Sequence, residues 1–306
     1  MPTITTFGQA GKEFLKFRAA KKSERTAGKH AWLLTTLRPL RDRPLAEIKA
    51  PEVMKVLRAL EAAGKAETAR RAGQFTARVF RHAIREGWCD YNPATDLRGG
   101  LEGVTVESHA GYTDPEKFGR LMLLVDMPGY SHATVYNALR LLARTALRPG
   151  ELRQGLWGEI DWDKAEWRIP KERMKMRREH LVPLSAQALE ILGDQRAHVM
   201  KDDLSDQAYI FPGMRSGRPI SDAAMGVALK NMFISPNDHV PHGFRVSFSS
   251  LLNEAGEDSA VVELQLSHAK QDKIAGIYDR SQRVQDRHKL METWAAMIEG
   301  FKRKAL

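Results

Sequence analysis

The chain has 306 residues, 42% of them apolar, enough for two hydrophobic cores at the usual ~100–200 residues per domain. It holds no run of about 18 apolar residues and no basic-then-apolar leader, so the sequence offers neither a membrane span nor a secretory signal. A net charge of +10 and a pI near 9.7 point to a polyanionic partner, while the single cysteine, Cys89, excludes an intramolecular disulfide and fits a reducing cytoplasm. The charge is uneven: residues 1–105 carry 20 Lys and Arg against 11 Asp and Glu, so nearly all of the excess lies in the first third.

In chain order, residues 6–19 place Phe7, Phe14, Leu15 and Phe17 on a short amphipathic helix, and Thr26 to Leu40 forms a second helix with Trp32, Leu33, Leu34 and Leu37. A connector with Ile48 buried leads to a third helix from Pro51, a favoured first-turn proline, to Ala63, ended by Gly64. The fourth helix, Ala66 to Glu86, separates an apolar side (Ala72, Phe75, Val79, Ala83) from a cationic stripe of Arg71, Arg78, Arg81 and Arg85, which lie within about 80° of one another at 100° per residue. With no interleaved Glu expected to pair with it, that stripe reads as a DNA-binding face. Residues 98–111 hold four glycines and no helical period, which makes them the interdomain linker, with the boundary near residue 105.

Beyond the linker, Asp114 caps a helix running through Val125, and a second helix spans Ser131 to Ala146. Arg148 then projects from a helix junction. Four short segments, 157–161, 166–170, 173–178 and 180–184, predict a small antiparallel sheet, with Lys175 near the tip that joins the last two strands. Ser185 caps a helix through Leu192, another helix runs from Asp222 to Phe233, and the last spans Asp286 to Phe301. The predicted fold is mainly α with a small antiparallel sheet: a helical domain over 1–105 and a mixed α/β domain over 106–306.

The stretch from His242 to Tyr278 concentrates the chemistry. His242 and Arg245, three apart, share a helix face and can address one anion; His268 and Tyr278 add an imidazole and a phenol. With Arg148 and Lys175 they form a set able to cleave a phosphodiester without a metal. Such cleavage needs an in-line nucleophile, compensation of charge on the nonbridging oxygens and a proton for the leaving alkoxide. Tyr278 can supply the nucleophile, and Arg148 and Arg245 can fork onto the phosphate. Lys175 can protonate the departing 5′ oxygen, His242 can take the tyrosine proton, and His268 can donate to a nonbridging oxygen. His239 and His242 do not read as a metal pair, because Pro241 intervenes and no Cys or paired carboxylates lie nearby; His180 is expected to cap or face solvent. Without a Gly-rich phosphate loop, neither ATP nor any other cofactor is expected.

The ordered set Arg148, Lys175, His242-x-x-Arg245, His268 and Tyr278 resembles the tyrosine recombinases, or phage integrases. The stretches TALRPGEL, RMKMRREHLVPLS, HGFR, LLNEAG and QLSH look like the subgroup carried by satellite prophages and genomic islands, and ETARRAGQFTARVFRHAIREGW resembles its core-binding domain. That resemblance implies a clamp around a double-stranded DNA core site, built from a helical core-binding domain and an α/β catalytic domain. It implies a 3′-phosphotyrosine intermediate on Tyr278, strand exchange by a homotetramer on synapsed DNA that is monomeric when free, and an accessory DNA-bending or directionality factor. Arg148, Lys175, His242, Arg245 and His268 are carried over as the phosphate-activating residues, and Glu151 matches an acidic position that supports the arginines. The final helix, with Trp294 and Met297 exposed on one side, resembles a segment that docks on a neighbouring protomer, packing on its own domain being the alternative. The sequence opens directly on the core-binding helices, where members of that subgroup usually begin with an arm-site-binding domain, so it reads either as a fragment or as a member of a shorter lineage, and core-site cleavage is what carries over. Two rivals are a DNA-relaxing type IB topoisomerase, disfavoured by the small domain, and a DNA-binding regulator with a vestigial site, disfavoured by the presence of all six residues.

Overall fold

The computed structural model describes residues 4–19, 24–95, 97, 99–101, 110–174, 177–199, 204–214, 217–268 and 283–306. The chain divides into two compact units, Met1–Glu107 and Ser108–Leu306.

The first unit is built from α1 (Phe7–Ala19), α2 (Glu24–Thr36), α3 (Ala50–Ala62) and α4 (Ala66–Arg85), with two 3-10 turns, Arg38–Leu40 and Leu45–Glu47, between α2 and α3. Apolar residues three and four apart on α4 make one side wholly inaccessible: Ala69, Ala72, Phe75, Val79, Phe80 and Ala83. Phe14 packs edge-on to Phe75 at 5.8 Å, and Phe7 lies 5.6 Å from Phe80, so α1 and α4 share the centre of this core. The turn after α4 is tied back to it by Asn92, whose side chain donates to Ala77 O at 3.1 Å and accepts from Ala94 N at 3.0 Å. Cys89 is buried beside this turn, and burial pushes its thiol pKa up, which suits an inert packing role.

The second unit begins with α5 (Pro115–Val125), whose Asp114 cap accepts from Lys117 N at 2.8 Å, and continues with α6 (Ala133–Thr145) and the short α7 (Pro149–Arg153). His132 caps α6, its Nδ1 accepting from Thr134 N at 3.4 Å. The sheet has strands β1 (Ile160–Asp161), β2 (Glu166–Ile169) and β3 (His180–Pro183), antiparallel in that order, with Trp167 opposite both Ile160 and Val182. Two of the predicted strand segments thus differ. Residues 157–159 form a 3-10 turn because Trp157 and Gly158 donate to Ala208 O and Asp206 O, partners outside the sheet. Of 173–178, the described residues Arg173, Met174, Arg177 and Arg178 lie in turns and bends, because the Arg173 guanidinium is anchored to Glu159 and to the carbonyls of Glu151 and Gln154.

The remaining elements are α8 (Ala186–His198), α9 (Ala224–Asn231), α10 (Gly243–Glu254), α11 (Ser259–Gln265) and the C-terminal α12 (Val284–Lys304). α8 runs through Gly193 past its predicted end at Leu192, since Gln195 one turn later is buried, accepting from Asn137 at 3.0 Å and donating to Ile210 O at 2.9 Å. α12 packs along α5 so closely that a Cβ on Gly119 would lie 2.2 Å from Phe301 O. Trp294 is therefore not exposed: it is fully buried against Phe118 and Phe248, and its Nε1 donates to Ala143 O at 2.9 Å. At the far end of α12 the Asp126 carboxylate accepts from both Arg144 and Lys302 at 2.8 Å, and those two cations hold its pKa down against the effect of burial. The helix is part of this unit's own core. Among the described residues no helix is long and apolar enough to cross a membrane.

Candidate active site

The site is assembled around three backbone carbonyls. Ala146 ends α6 in a left-handed conformation (φ +50°), which turns the chain away from the helix and leaves Ala146 O facing inward. Arg148 follows as the N-cap residue of α7, with Pro149 at the first helical position. Glu151, one turn on, is buried and grips Arg148 twice, accepting from its guanidinium at 2.7 Å and from its backbone N at 3.3 Å. The second Arg148 nitrogen donates to Ser267 O at 3.1 Å.

Arg245 sits on the first turn of α10. Its Nη1 donates to Ala146 O at 2.6 Å, and its Nη2 donates to Leu266 O at 2.6 Å and lies 3.1 Å from His268 Nε2. The start of α10 is fixed by a backbone-on-backbone approach: a Cβ on Gly243 would fall 2.2 Å from Ala110 O, and one on Gly111 would fall 2.7 Å from Gly243 O. That approach is why the HGFR stretch carries glycine. His242 stands at the N-cap of this helix, half-buried, its carbonyl accepting from Arg245 N at 3.1 Å.

α11 supplies the third wall. It ends in a turn through Ser267 (φ +50°), in which Ser267 N returns to Leu264 O and His268 N to Glu263 O. The turn points Leu266 O and Ser267 O at the two arginines and brings His268 beside them. His268 Nδ1 lies 2.8 Å from Glu263 Oε2. Exposure grades outward across the group, from 4% for Arg245 through 26% for the Arg148 side chain to 44% for that of His268, so an anion reaches Arg148 and His268 first, with Arg245 behind them. Burial and the neighbouring Arg148 charge bring the Arg245 pKa down to about 10, against the pull of Glu151 and Glu263, so it stays a cation at neutral pH.

Behind the arginines lies a buried polar layer that sequence reasoning missed. His180 is 4% exposed, contrary to the expectation that it caps or faces solvent; its Nε2 lies 3.1 Å from Gln265 O. Burial, helped by Arg287, Arg245 and Arg148, drives its pKa down to about 3, so the ring is neutral. Arg287 of α12, 2% exposed, donates from Nε and Nη2 to Gln265 Oε1 at 3.1 and 2.9 Å and from Nη2 to Leu181 O. β3, α11 and α12 are thereby joined directly beneath the His268 turn. Nothing in the spacing of Arg287, on a helix rich in charge, marks it as buried.

Arg148, Arg245, Glu151 and His268 are thus brought together, with His242 on the same helix start as Arg245. Lys175 and Tyr278 lie outside the described residues, although Arg173 and buried Met174 fix the chain up to the residue before Lys175. His239 belongs to the core: it is 1% exposed, its Nδ1 accepts from Tyr112 N at 3.1 Å, and burial lowers its pKa to about 3. Among the described residues no group of three or more His, Cys, Asp or Glu could hold a metal ion. In the first unit, Arg81 and Arg85 are exposed and Arg78 half-buried; burial and the nearby charges of Arg18 and Arg81 lower the Arg78 pKa. Arg71 departs from the expected unpaired stripe, since Glu67 accepts from it at 2.6 Å and from Arg70 as well, which holds the Glu67 pKa at about 2.

Residues 7–100 match the phage integrase central domain, and residues 113–284 match the phage integrase family. Prophage integrase IntA of Escherichia coli (strain K12) is 31% identical over 260 residues, covering 85% of this chain and 61% of the relative. The integrase of Enterobacteria phage P4 is 29% identical over 273 residues, covering 83% and 60%. The chain spans about three fifths of the length of these curated relatives. Among solved structures, the Tn1549 transposon integrase in complex with circular intermediate DNA aligns with a TM-score of 0.67 over 94% of this chain and 99% of that one, at 15% identity. A lambda integrase tetramer bound to a Holliday junction aligns with a TM-score of 0.66 over 89% and 81%, at 20% identity. At those identities the likeness is one of fold.

Proposed function

The chain belongs to the phage integrase family, and from that premise we propose that it is a site-specific DNA recombinase that integrates or excises a mobile element. The observation that carries the reading is the convergence of Arg148, Arg245 and His268 on one partly open anion site, with Glu151 holding the outer arginine. Two guanidiniums aimed at one place suit the nonbridging oxygens of a phosphodiester, which develop charge as an in-line nucleophile attacks. Tyr278 is the nucleophile: its phenolate attacks phosphorus, the 5′ oxygen of the next nucleotide leaves, and a 3′-phosphotyrosine conserves the bond for rejoining. Lys175 gives the leaving oxygen its proton, His242 takes the tyrosine proton, and His268 donates to a nonbridging oxygen. The chemistry needs neither metal nor ATP. The first unit is the core-binding domain, its α4 stripe of Arg78, Arg81 and Arg85 facing the DNA backbone with Arg71 at one end. Four copies act together on synapsed core sites in the host nucleoid, a reading supported by the relative whose tetramer was solved on a Holliday junction, and an accessory bending or directionality factor assists.

The test is a nicked duplex carrying the attachment junction of the chain's own element, incubated with the protein in the presence of a chelator. A covalent protein–DNA adduct linked through the 3′ phosphate is expected. DNA binding without any adduct would return the chain to a regulatory role.

A further inference from the structure

We infer that Glu263 is a positioning residue for His268: its carboxylate holds the imidazole Nδ1–H, so that Nε2 can pass from accepting the Arg245 guanidinium to donating to a bound oxyanion. The inference rests on the reading of this site as a phosphodiester site and adds to it a proton-linked step.

The two hydrogen bonds of His268 set the tautomer of its ring. Glu263 Oε2, 2.8 Å from Nδ1, only accepts, and Arg245 Nη2, 3.1 Å from Nε2, only donates. These partners place the ring proton on Nδ1 and a lone pair on Nε2. A phosphate oxygen also only accepts, so Nε2 cannot face it in this form. For His268 to contact the anion, Nε2 gains one proton from solvent, the ring becomes imidazolium, and Arg245 Nη2 is released to the same anion. Binding of the oxyanion is then coupled to uptake of one proton.

The groups around the ring divide by sign. Arg245 from α10 and Arg148 from the start of α7, bonded to the carbonyl next to His268, oppose its charging, while Glu151 offsets Arg148. From β3 and α12, His180 and Arg287 reach the same turn through Gln265, the first neutral and the second another cation. Glu263 is the carboxylate hydrogen-bonded to the ring itself, and an arriving oxyanion offsets the neighbouring cations. Both members of the pair are about half exposed, so the effect is that of a partly screened pair, several-fold rather than thousands-fold.

The test follows the His268 ring by NMR in the full chain through a pH titration, with and without inorganic sulfate, an oxyanion that does not itself titrate near neutrality. The wild type, Glu263→Gln and Glu263→Asp are compared. Expected are an Nδ1–H tautomer at rest and a midpoint that rises with sulfate. In Glu263→Gln the midpoint falls below that of the wild type and the sulfate response is several-fold weaker; Glu263→Asp retains part of both. Equal midpoints in wild type and Glu263→Gln, or a sulfate response that is absent or unchanged, would overturn the assignment. In adduct formation on nicked DNA, the alkaline limb of the pH profile moves to lower pH in Glu263→Gln. A wild-type chain that forms no adduct at any pH would count against the recombinase reading, while the ring titration would still decide the role of Glu263.

Discussion

Arg245 is the most constrained cation of the site, with two backbone carbonyls, one imidazole and almost no solvent around it. A lysine there cannot reach Ala146 O, Leu266 O and an anion together, because it has one nitrogen where arginine has a planar fork. Arg245→Lys is therefore expected to lower the adduct-forming rate by about 100-fold or more with DNA affinity little changed; equal loss of both would mean that the residue serves binding alone. At this scale the sequence was legible where chemistry sets residue type and spacing: His242-x-x-Arg245, the helix-junction Arg148 and the later His268 all announce themselves. His180 and Arg287 did not. Their partners are mostly backbone carbonyls and a glutamine, contacts that impose no pattern on the sequence. Glu67 departs from the expected absence of a pairing carboxylate: it lies one turn before Arg71, the first residue of the stripe, and pairs with it from the helix start.

Elements fix where these residues meet. The start of α10 abuts the chain at Ala110 and Gly111 with no room for a side chain, so Gly243→Ala should cost about 1–3 kcal/mol of stability through overpacking and displace Arg245 from its carbonyls. Chemical denaturation and adduct formation would both report it; a fully stable and active variant would show that the approach is not required. Trp294→Ala removes the largest buried side chain of α12, and a loss of about 3–5 kcal/mol in the unfolding of the second unit is expected at any protein concentration. A loss that appears only where the protein associates would instead place Trp294 at an interface. On α4, replacing Arg78 and Arg81 together by Ala should flatten the log–log salt dependence of duplex binding by up to about 0.9 per lost phosphate contact. An unchanged slope would make that stripe a solvated surface. Helices with capped ends, such as α3 to α5, were read nearly to their limits. The sheet prediction departs from the structure at 157–159 and at the described residues Arg173 and Met174, because a neighbouring loop and the Arg173 anchor, both long-range partners, hold them outside the sheet.

For the whole molecule, two buried histidines contribute to the response to acid, beside carboxylates such as Asp126 whose pKa is held down. His180 and His239 are both neutral with pKa values near 3 in the fold, well below an unfolded value near 6.5. The unfolded chain therefore binds protons first. Their contribution to stability is fully present above about pH 6.5 and is lost as pH falls toward 3, at up to about 1.4 kcal/mol per pH unit for each. Thermal unfolding of His180→Gln and His239→Asn across that window should show a flatter acid slope than wild type; parallel slopes would remove the histidines from the account. At this scale the charge asymmetry of the sequence already separated a basic first third from a balanced remainder, and that division is what gives the recombinase reading a DNA-binding unit and a chemical one. The central chemical proposal is that Tyr278 forms the bond to DNA. Trapping the adduct on nicked junction DNA, digesting it and locating the nucleotide-bearing peptide by mass spectrometry tests this directly: a phosphodiester on Tyr278, absent from Tyr278→Phe, is predicted, and a nucleotide on any other residue, or an adduct that persists in Tyr278→Phe, would contradict it.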